Sequence, residues 1–217
     1  MSASPAKIVA VILAGGEGQR LGGSIKANIE IGGRRLLLRV ADALKACDRP
    51  ILVAHGRIDP PLLSLPAGFQ PVPDLQSDYR GPLAGLAGAV AWLAAQGWSP
   101  DFLATAAVDT PLFPLDFAAR AVSSLGDARA PANAVIARCA GQDYPTNAVW
   151  RFTSVSALAE RVLQGTAPHS LKRLGEELGA RYLDWPADAG IDPFANINTP
   201  EDLRRLGAQI GALPNHQ

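Results

Sequence analysis

Three short stretches of this 217-residue chain carry residue types that could do chemistry. The first is Leu13-Ala14-Gly15-Gly16-Glu17-Gly18-Gln19-Arg20-Leu21-Gly22-Gly23-Ser24-Ile25-Lys26. Its glycines follow an apolar run, let the backbone approach a ligand closely and leave N–H groups to face phosphate oxygens. Two cations in the loop, Arg20 and Lys26, could neutralise a triphosphate and the pyrophosphate that departs from it. Neither familiar phosphate loop fits. Gly16-x-Gly18 followed by Gly22 is one residue too long for the dinucleotide fingerprint, and Ile25 before Lys26 breaks the P-loop pattern. The plain alternative is a surface turn with solvated charges, which glycines lying between two buried segments argue against.

The second stretch is Val108-Asp109-Thr110-Pro111, at the carboxyl end of an apolar strand. Ligands of open α/β sheets bind at such strand ends, and a carboxylate there is a hard oxygen ligand for Mg²⁺. Asp-Thr-Pro is also a good turn with the Asp as its cap, so the motif alone leaves both readings open. The third stretch is Phe194-Ala195-Asn196-Ile197-Asn198-Thr199-Pro200-Glu201-Asp202-Leu203. Thr199 as cap, Pro200 at the first helical position and Asp202 two further on make a helix start. The cap does not explain Asn196 and Asn198, whose amide oxygens could complete a Mg²⁺ shell or hold an acceptor's hydroxyls.

These stretches need a scaffold, and the hydrophobic pattern supplies one. Residues 7–13 form a nearly continuous apolar run that reads as a buried parallel strand. A helix over 35–46, strands over 50–54 and 69–72, a small-residue helix over 81–96 and a strand over 101–108 follow. A helix starting near Pro114, strands over 134–137 and 148–150, and helices over 153–163, 170–178 and 200–210 complete the reading. The alternation predicts an α/β fold with a mostly parallel sheet covered on both faces. No linker or repeat divides residues 1–217, which read as one domain.

Composition narrows the function. Twenty basic residues balance 20 acidic ones, so the basic footprint of a nucleic-acid or anionic-membrane partner is missing and a small-molecule partner is expected. No apolar run has membrane-spanning length and residues 1–7 lack a secretory h-region, which points to the cytoplasm. Cys47 and Cys139 lack metal or disulfide spacing and read as small buried or half-buried thiols. His55, His169 and His216 have no metal-ligand spacing, no G-x-S-x-G occurs, and the four tryptophans read as core or rim.

In their order along the chain, these stretches resemble the molybdenum cofactor guanylyltransferase family, within the sugar-nucleotide type of nucleotidyltransferases. The resemblance extends through Pro73-Asp74, Gly81-Pro82-Leu83-Ala84-Gly85 and Pro145-Thr146. It implies a three-layer Rossmann-like sheet and GMP transfer from GTP to the phosphate of molybdopterin or its molybdenum-loaded form, with Mg²⁺ as cofactor. Leu13, Ala14, Gly15 and Gly16 would hold the nucleotide, Lys26 its phosphates and Asp74 the guanosine. Arg20, Lys26 and Asp109 would be catalytic, Asp109 and Asn198 would bind Mg²⁺, and Asn196 and Asn198 would face the acceptor. Transient contact with pterin-delivering proteins would follow; the oligomeric state is left open. Gly15 matches the guanine-using version of the loop, where related cytidylyltransferases carry alanine. Ile25 departs from the family's usual Asp, Gly56 from its Asn, and residues 165–169 from its arginines near the acceptor. Other acceptors, such as a sugar or polyol phosphate or a cytidylylated pterin, and a nucleotide-binding homologue without turnover are the rival readings.

Overall fold

The structure, a computed structural model, describes residues 5–18, 21–75, 79–127, 131–187 and 190–212. The apolar run forms β1 (Ile8–Leu13). Two small hairpins follow: β2 (Glu17–Gly18) with β3 (Ser24–Ile25), and β4 (Glu30–Ile31) with β5 (Arg34–Arg35). Then come α1 (Leu36–Ala43), β6 (Asp48–Ala54) and β7 (Phe69–Val72). The chain continues through α2 (Pro82–Ala95), β8 (Phe102–Ala107), α3 (Phe117–Leu125), β9 (Ala134–Cys139) and β10 (Gln142–Arg151). It finishes with α4 (Phe152–Val155), α5 (Leu158–Leu163), α6 (Leu171–Glu177), β11 (Arg181–Trp185) and α7 (Pro200–Ala212).

Seven strands make one sheet in the order β11-β9-β10-β8-β1-β6-β7. β1 is parallel to both β6 and β8, and β7 to β6. β10 is antiparallel to β8 and β9, and β11 is parallel to β9. Six strands therefore share one direction and β10 alone opposes them, as the alternating pattern implied. The chain builds outward from β1 to β7, then returns to the other side of β1 as β8. That reversal is a topological switch point, where a crevice opens at the strand ends.

Both faces of the sheet are covered, which is why β1 and β8 read as unbroken apolar runs. Ala10 and Ile12 pack on one side with α1 and α3, while Val9, Val11 and Leu13 pack on the other with α2, α5 and α6. A smaller cluster, Ile31, Leu36, Ile197 and Leu206, ties the second hairpin to α7. Cys47 and Cys139 are free and buried; burial pushes the Cys47 thiol up to about 12, which makes it a packing residue. Among the described residues, no helix is long and apolar enough to cross a membrane.

Three expectations need correction. The helix expected from Pro114 begins at Phe117, because Pro114 uses its carbonyl in a turn that accepts the Phe117 N–H. The helix expected over 153–163 is two, α4 and α5: the Ser156 hydroxyl donates to the Thr153 carbonyl, a local bond that competes with the helical one. Strand β10 runs from Gln142, well before the expected 148.

The small residues of α2 have a geometric cause. A Cβ on Gly85 would lie 3.0 Å from that of Ala54, and one on Gly88 would fall 2.2 Å from the Pro73 carbonyl oxygen. The helix thus lies directly on the strand ends and carries its N-terminus to the crevice. Gly88→Ala should destabilise the protein by about 3 kcal/mol, since backbone must move. Gly211→Ala, where an added Cβ meets nothing within 4 Å, should stay within about 0.5 kcal/mol of the parent. Urea unfolding midpoints of the two variants check the pair.

Candidate functional site

The turns after β1, β6 and β8 meet at the switch point. Ala14 N–H donates to the Ala54 carbonyl at 2.8 Å, and Val108 N–H to the Leu13 carbonyl at 3.2 Å. Gly15 follows at once and packs tightly as glycine: a Cβ there would come 3.1 Å from both N and Cα of Gly56, so the neighbouring turn would have to give by a few tenths of an ångström. Gly56 in turn has φ +59°, and a Cβ there would sit 2.9 Å from the Gly15 Cα. Two glycines thus let two backbone turns touch.

Around them is a cleft of about 510 Å³. It brings together Leu13, Gly15, Gly16, Lys26, Asp74, Asp109 and Asn196, seven of the residues singled out by sequence. Ala14 is fully buried behind the loop instead of lining the cleft. Asn198 is exposed beside it. Arg20 lies outside the described residues.

One cation joins the three chemical stretches. Lys26 Nζ donates to Asp109 Oδ2 and to Asn198 Oδ1, at 2.6 Å each. The Lys26 and Asp109 side chains are only 12% and 15% exposed, so the pair is shielded well beyond an ordinary surface bridge. Lys26 begins a 3₁₀ turn, Lys26–Asn28, whose cap position is Ile25. Ile25 makes no side-chain cap bond and packs on the core. An Asp there is a residue type suited to capping the turn.

Asp109 is mounted on backbone bonds: its carbonyl accepts the Ile197 N–H at 2.9 Å. The segment beyond is pinned at both ends. Phe194 is fully buried against Phe113, Phe117, Tyr144 and Trp185, and Asp192 accepts from the Tyr144 hydroxyl and the Phe194 N–H. At the other end the expected cap forms reciprocally. Asp202 N–H donates to Thr199 Oγ1 at 3.1 Å, and Thr199 N–H to Asp202 Oδ2 at 3.0 Å. Between these anchors Asn196 Oδ1 is buried with no partner among the described residues.

Asp74 lies across the cleft, half-buried. Burial raises its carboxyl above the usual value, while His55, the Gly56 N–H and Arg80 favour the carboxylate. Arg57, Arg80 and Thr146 also line the cleft; sequence reading gave none of them a site role, although Pro145-Thr146 was among the segments that carry the resemblance. Arg57 could have been found as the cation just past a strand end; Thr146 depends on strand register. Of residues 165–169, Ala167 accepts the Tyr79 hydroxyl and His169 stacks on the Tyr79 ring at 5.2 Å, which ties that loop to the residue before Arg80.

The oxygens of Asp109 and Asn198 already share one cation, a donor set that fits a small hard ion. Among the described residues no cluster of three or more His, Cys, Asp or Glu side chains could hold a metal. An ion here would complete its shell with substrate oxygens, as Mg²⁺ does.

Residues 10–181 match the model of the MobA-like NTP transferase domain. The molybdenum cofactor guanylyltransferase of Rhodopseudomonas palustris (strain BisB5) is 34% identical over 89% of this chain and 90% of its own length. The fold is shared with molybdopterin-guanine dinucleotide biosynthesis protein A from Archaeoglobus fulgidus, at TM-score 0.66 and 21% identity over 95% of this chain and 100% of that one. It is shared also with 4-diphosphocytidyl-2C-methyl-D-erythritol synthase from Anaerococcus prevotii, at TM-score 0.70 and 15% identity over 95% and 99%.

An acid raised by folding, such as Asp74, binds more protons folded than unfolded. It therefore withdraws stability as pH rises from the ordinary carboxylate range, near 4, through its folded value. Asp74→Asn should unfold at higher denaturant than the parent at pH 7.5, with the gain gone at about pH 3.5. An equal gain at both pH values would show that the Asp74 charge is not its source.

Proposed function

The chain belongs to the MobA-like NTP transferase family, and on that premise we propose that it transfers GMP from GTP to the phosphate of molybdopterin or its molybdenum-loaded form, releasing pyrophosphate. The observation that carries the reading is the convergence of Lys26, Asp109 and Asn198 at a switch-point cleft whose far wall holds Asp74. Guanine offers its N1–H and 2-amino group as adjacent donors, which a carboxylate can accept together. Cytosine has no such pair, so Asp74 favours GTP. The reaction takes place in the cytoplasm with Mg²⁺.

An oxygen of the acceptor phosphate attacks the α-phosphorus in line; the P–O bond to the β-phosphate breaks and pyrophosphate leaves with its electron pair. The acceptor is already anionic near neutral pH, so no protein nucleophile or general base is needed. What remains is positioning and charge stabilisation. When bound, Mg²⁺ would supply charge neutralisation at the phosphates, held by Asp109 with Asn198 as a neutral partner. Lys26, whose ammonium stands beside those same oxygens, would bind phosphate oxygens of the nucleotide. Arg20 adds charge on the departing pyrophosphate, and Arg57 and Arg80 make the remaining wall attractive to anions. Asn196, which lines the cleft, stands on the acceptor side.

Pyrophosphate release from each of the four NTPs, with Mg²⁺ and with or without molybdopterin, tests the reading. Release should require the pterin and be fastest with GTP; a preference for CTP, or release indifferent to the pterin, contradicts it. Asp109→Ala should lower kcat/KM by about 10²–10⁴, and Lys26→Ala should both weaken GTP binding and slow transfer. Full activity in either variant removes that residue from the site.

A further inference from the structure

Strand β10 contains three residues more than its neighbour needs. Gln142 faces Cys139 and Tyr144 faces Ala137, but the residue opposite Ile136 is Ala148, where unbroken register would place Pro145. The surplus is Pro145, Thr146 and Asn147. Bulges of this kind recur beside active sites, where they re-aim side chains, and here Thr146 lines the cleft.

The other edge of β10 shows what Asn147 does. Pairing with β8 is regular from Arg151 opposite Phe102 to Ala148 opposite Thr105. Continued, it would set the Thr146 backbone against Ala107. Instead the Ala107 N–H donates to Asn147 Oδ1 at 2.8 Å, so a side-chain oxygen stands in for a ladder carbonyl. Asn147 is completely buried, and its Nδ2 has no partner among the described residues. Burying an amide with its donors unmet works against stability, so the position is held for its acceptor.

That acceptor grips the backbone of Ala107, two residues before Asp109. The Ala107 N–H is held by Asn147 and the Ala107 carbonyl by Thr110 Oγ1 at 2.7 Å. We infer that Asn147 is a positioning residue for the cation site: through the Ala107 peptide it sets the direction in which β8 ends, and with it the place of the Asp109 carboxylate. The inference rests on the reading of Asp109 as a metal ligand. It matters because misplacement of a site group by about 1 Å can cost 10²-fold.

The test measures Mn²⁺ affinity by calorimetry, with the protein saturated by a GTP analogue whose α–β bridge cannot be cleaved. Asn147→Ala removes the acceptor. Asn147→Asp keeps an acceptor oxygen in place and, measured at a pH where the buried carboxyl is protonated, replaces only the unpartnered nitrogen. Asn147→Ala should weaken Mn²⁺ by about 10–100-fold, the scale for groups that orient a ligand, with analogue affinity in EDTA within about twofold of the parent. Asn147→Asp should recover most of the loss. Unchanged Mn²⁺ affinity in Asn147→Ala, or a loss that Asn147→Asp does not recover, overturns the inference. If Asn147→Ala fails to fold, Thr110→Val decides: it frees the Ala107 carbonyl, the backbone group on the other side of the same residue, the same loss is expected, and parental affinity overturns the inference. A parent protein that binds no Mn²⁺ defeats the metal reading of Asp109 itself, and this inference with it, before any variant is compared.

Discussion

An ammonium shared between a carboxylate and an amide oxygen holds together parts of the chain 83 and 172 residues from it. Lys26, Asp109 and Asn198 come from the glycine loop, the end of β8 and the approach to α7, and no two are neighbours in sequence. Shielded as it is, the pair adds little net stability, because desolvation offsets most of the Coulomb gain. Breaking it is another matter. A carboxylate only 15% exposed and left without a cation is destabilising, though by less than the about 3–5 kcal/mol of complete burial. The geometry therefore favours a cation beside Asp109, and the surrounding structure determines which one it can be.

The rest of the fold reads as mounts for that arrangement. Asp109 is fixed by the Ile197 N–H on its carbonyl and by the gripped Ala107 peptide before it. Asn198 is fixed by a buried Phe194 upstream and the Thr199–Asp202 cap downstream. Lys26 is carried by a one-turn helix that has no side-chain cap, since Ile25 is spent on packing. Of the three, it is the group best placed to move. Gly15 and Gly56 bring two turns into backbone contact, and Gly85 and Gly88 let α2 lie against the strand ends, which sets the width of the cleft.

The central layer was legible because β1 and β8 are buried on both faces and so appear as unbroken apolar runs. The cap at Thr199 was legible because it is local. What depended on register or on distant partners was not. β11 escaped notice because its residues are mostly half-buried at a sheet edge, with Arg138 lying 4.3 Å over the Tyr182 ring in place of an apolar cover. The two-residue strands carry too few residues to show a period. In the site, Lys26, Asp109 and the asparagines were marked by charge or by an unexplained amide, while Asp74 came only through the family resemblance. Gly15 was read for its nearness to nucleotide, yet an added Cβ would first meet Gly56. Asn147 has no signal of its own, since its role appears only when three extra residues in β10 displace the ladder.

If the ammonium and the metal ion compete for the same two oxygens, the nucleotide-free protein should bind metal poorly until Lys26 is removed. Titration of nucleotide-free parent and Lys26→Ala with Mn²⁺, followed by electron paramagnetic resonance of the free ion, measures this directly. Binding about tenfold or more tighter in Lys26→Ala, on the scale of freeing a shielded carboxylate from its partner, is the predicted result. Equal Mn²⁺ affinity in the two proteins would contradict it, placing the metal away from the Lys26–Asp109–Asn198 contact.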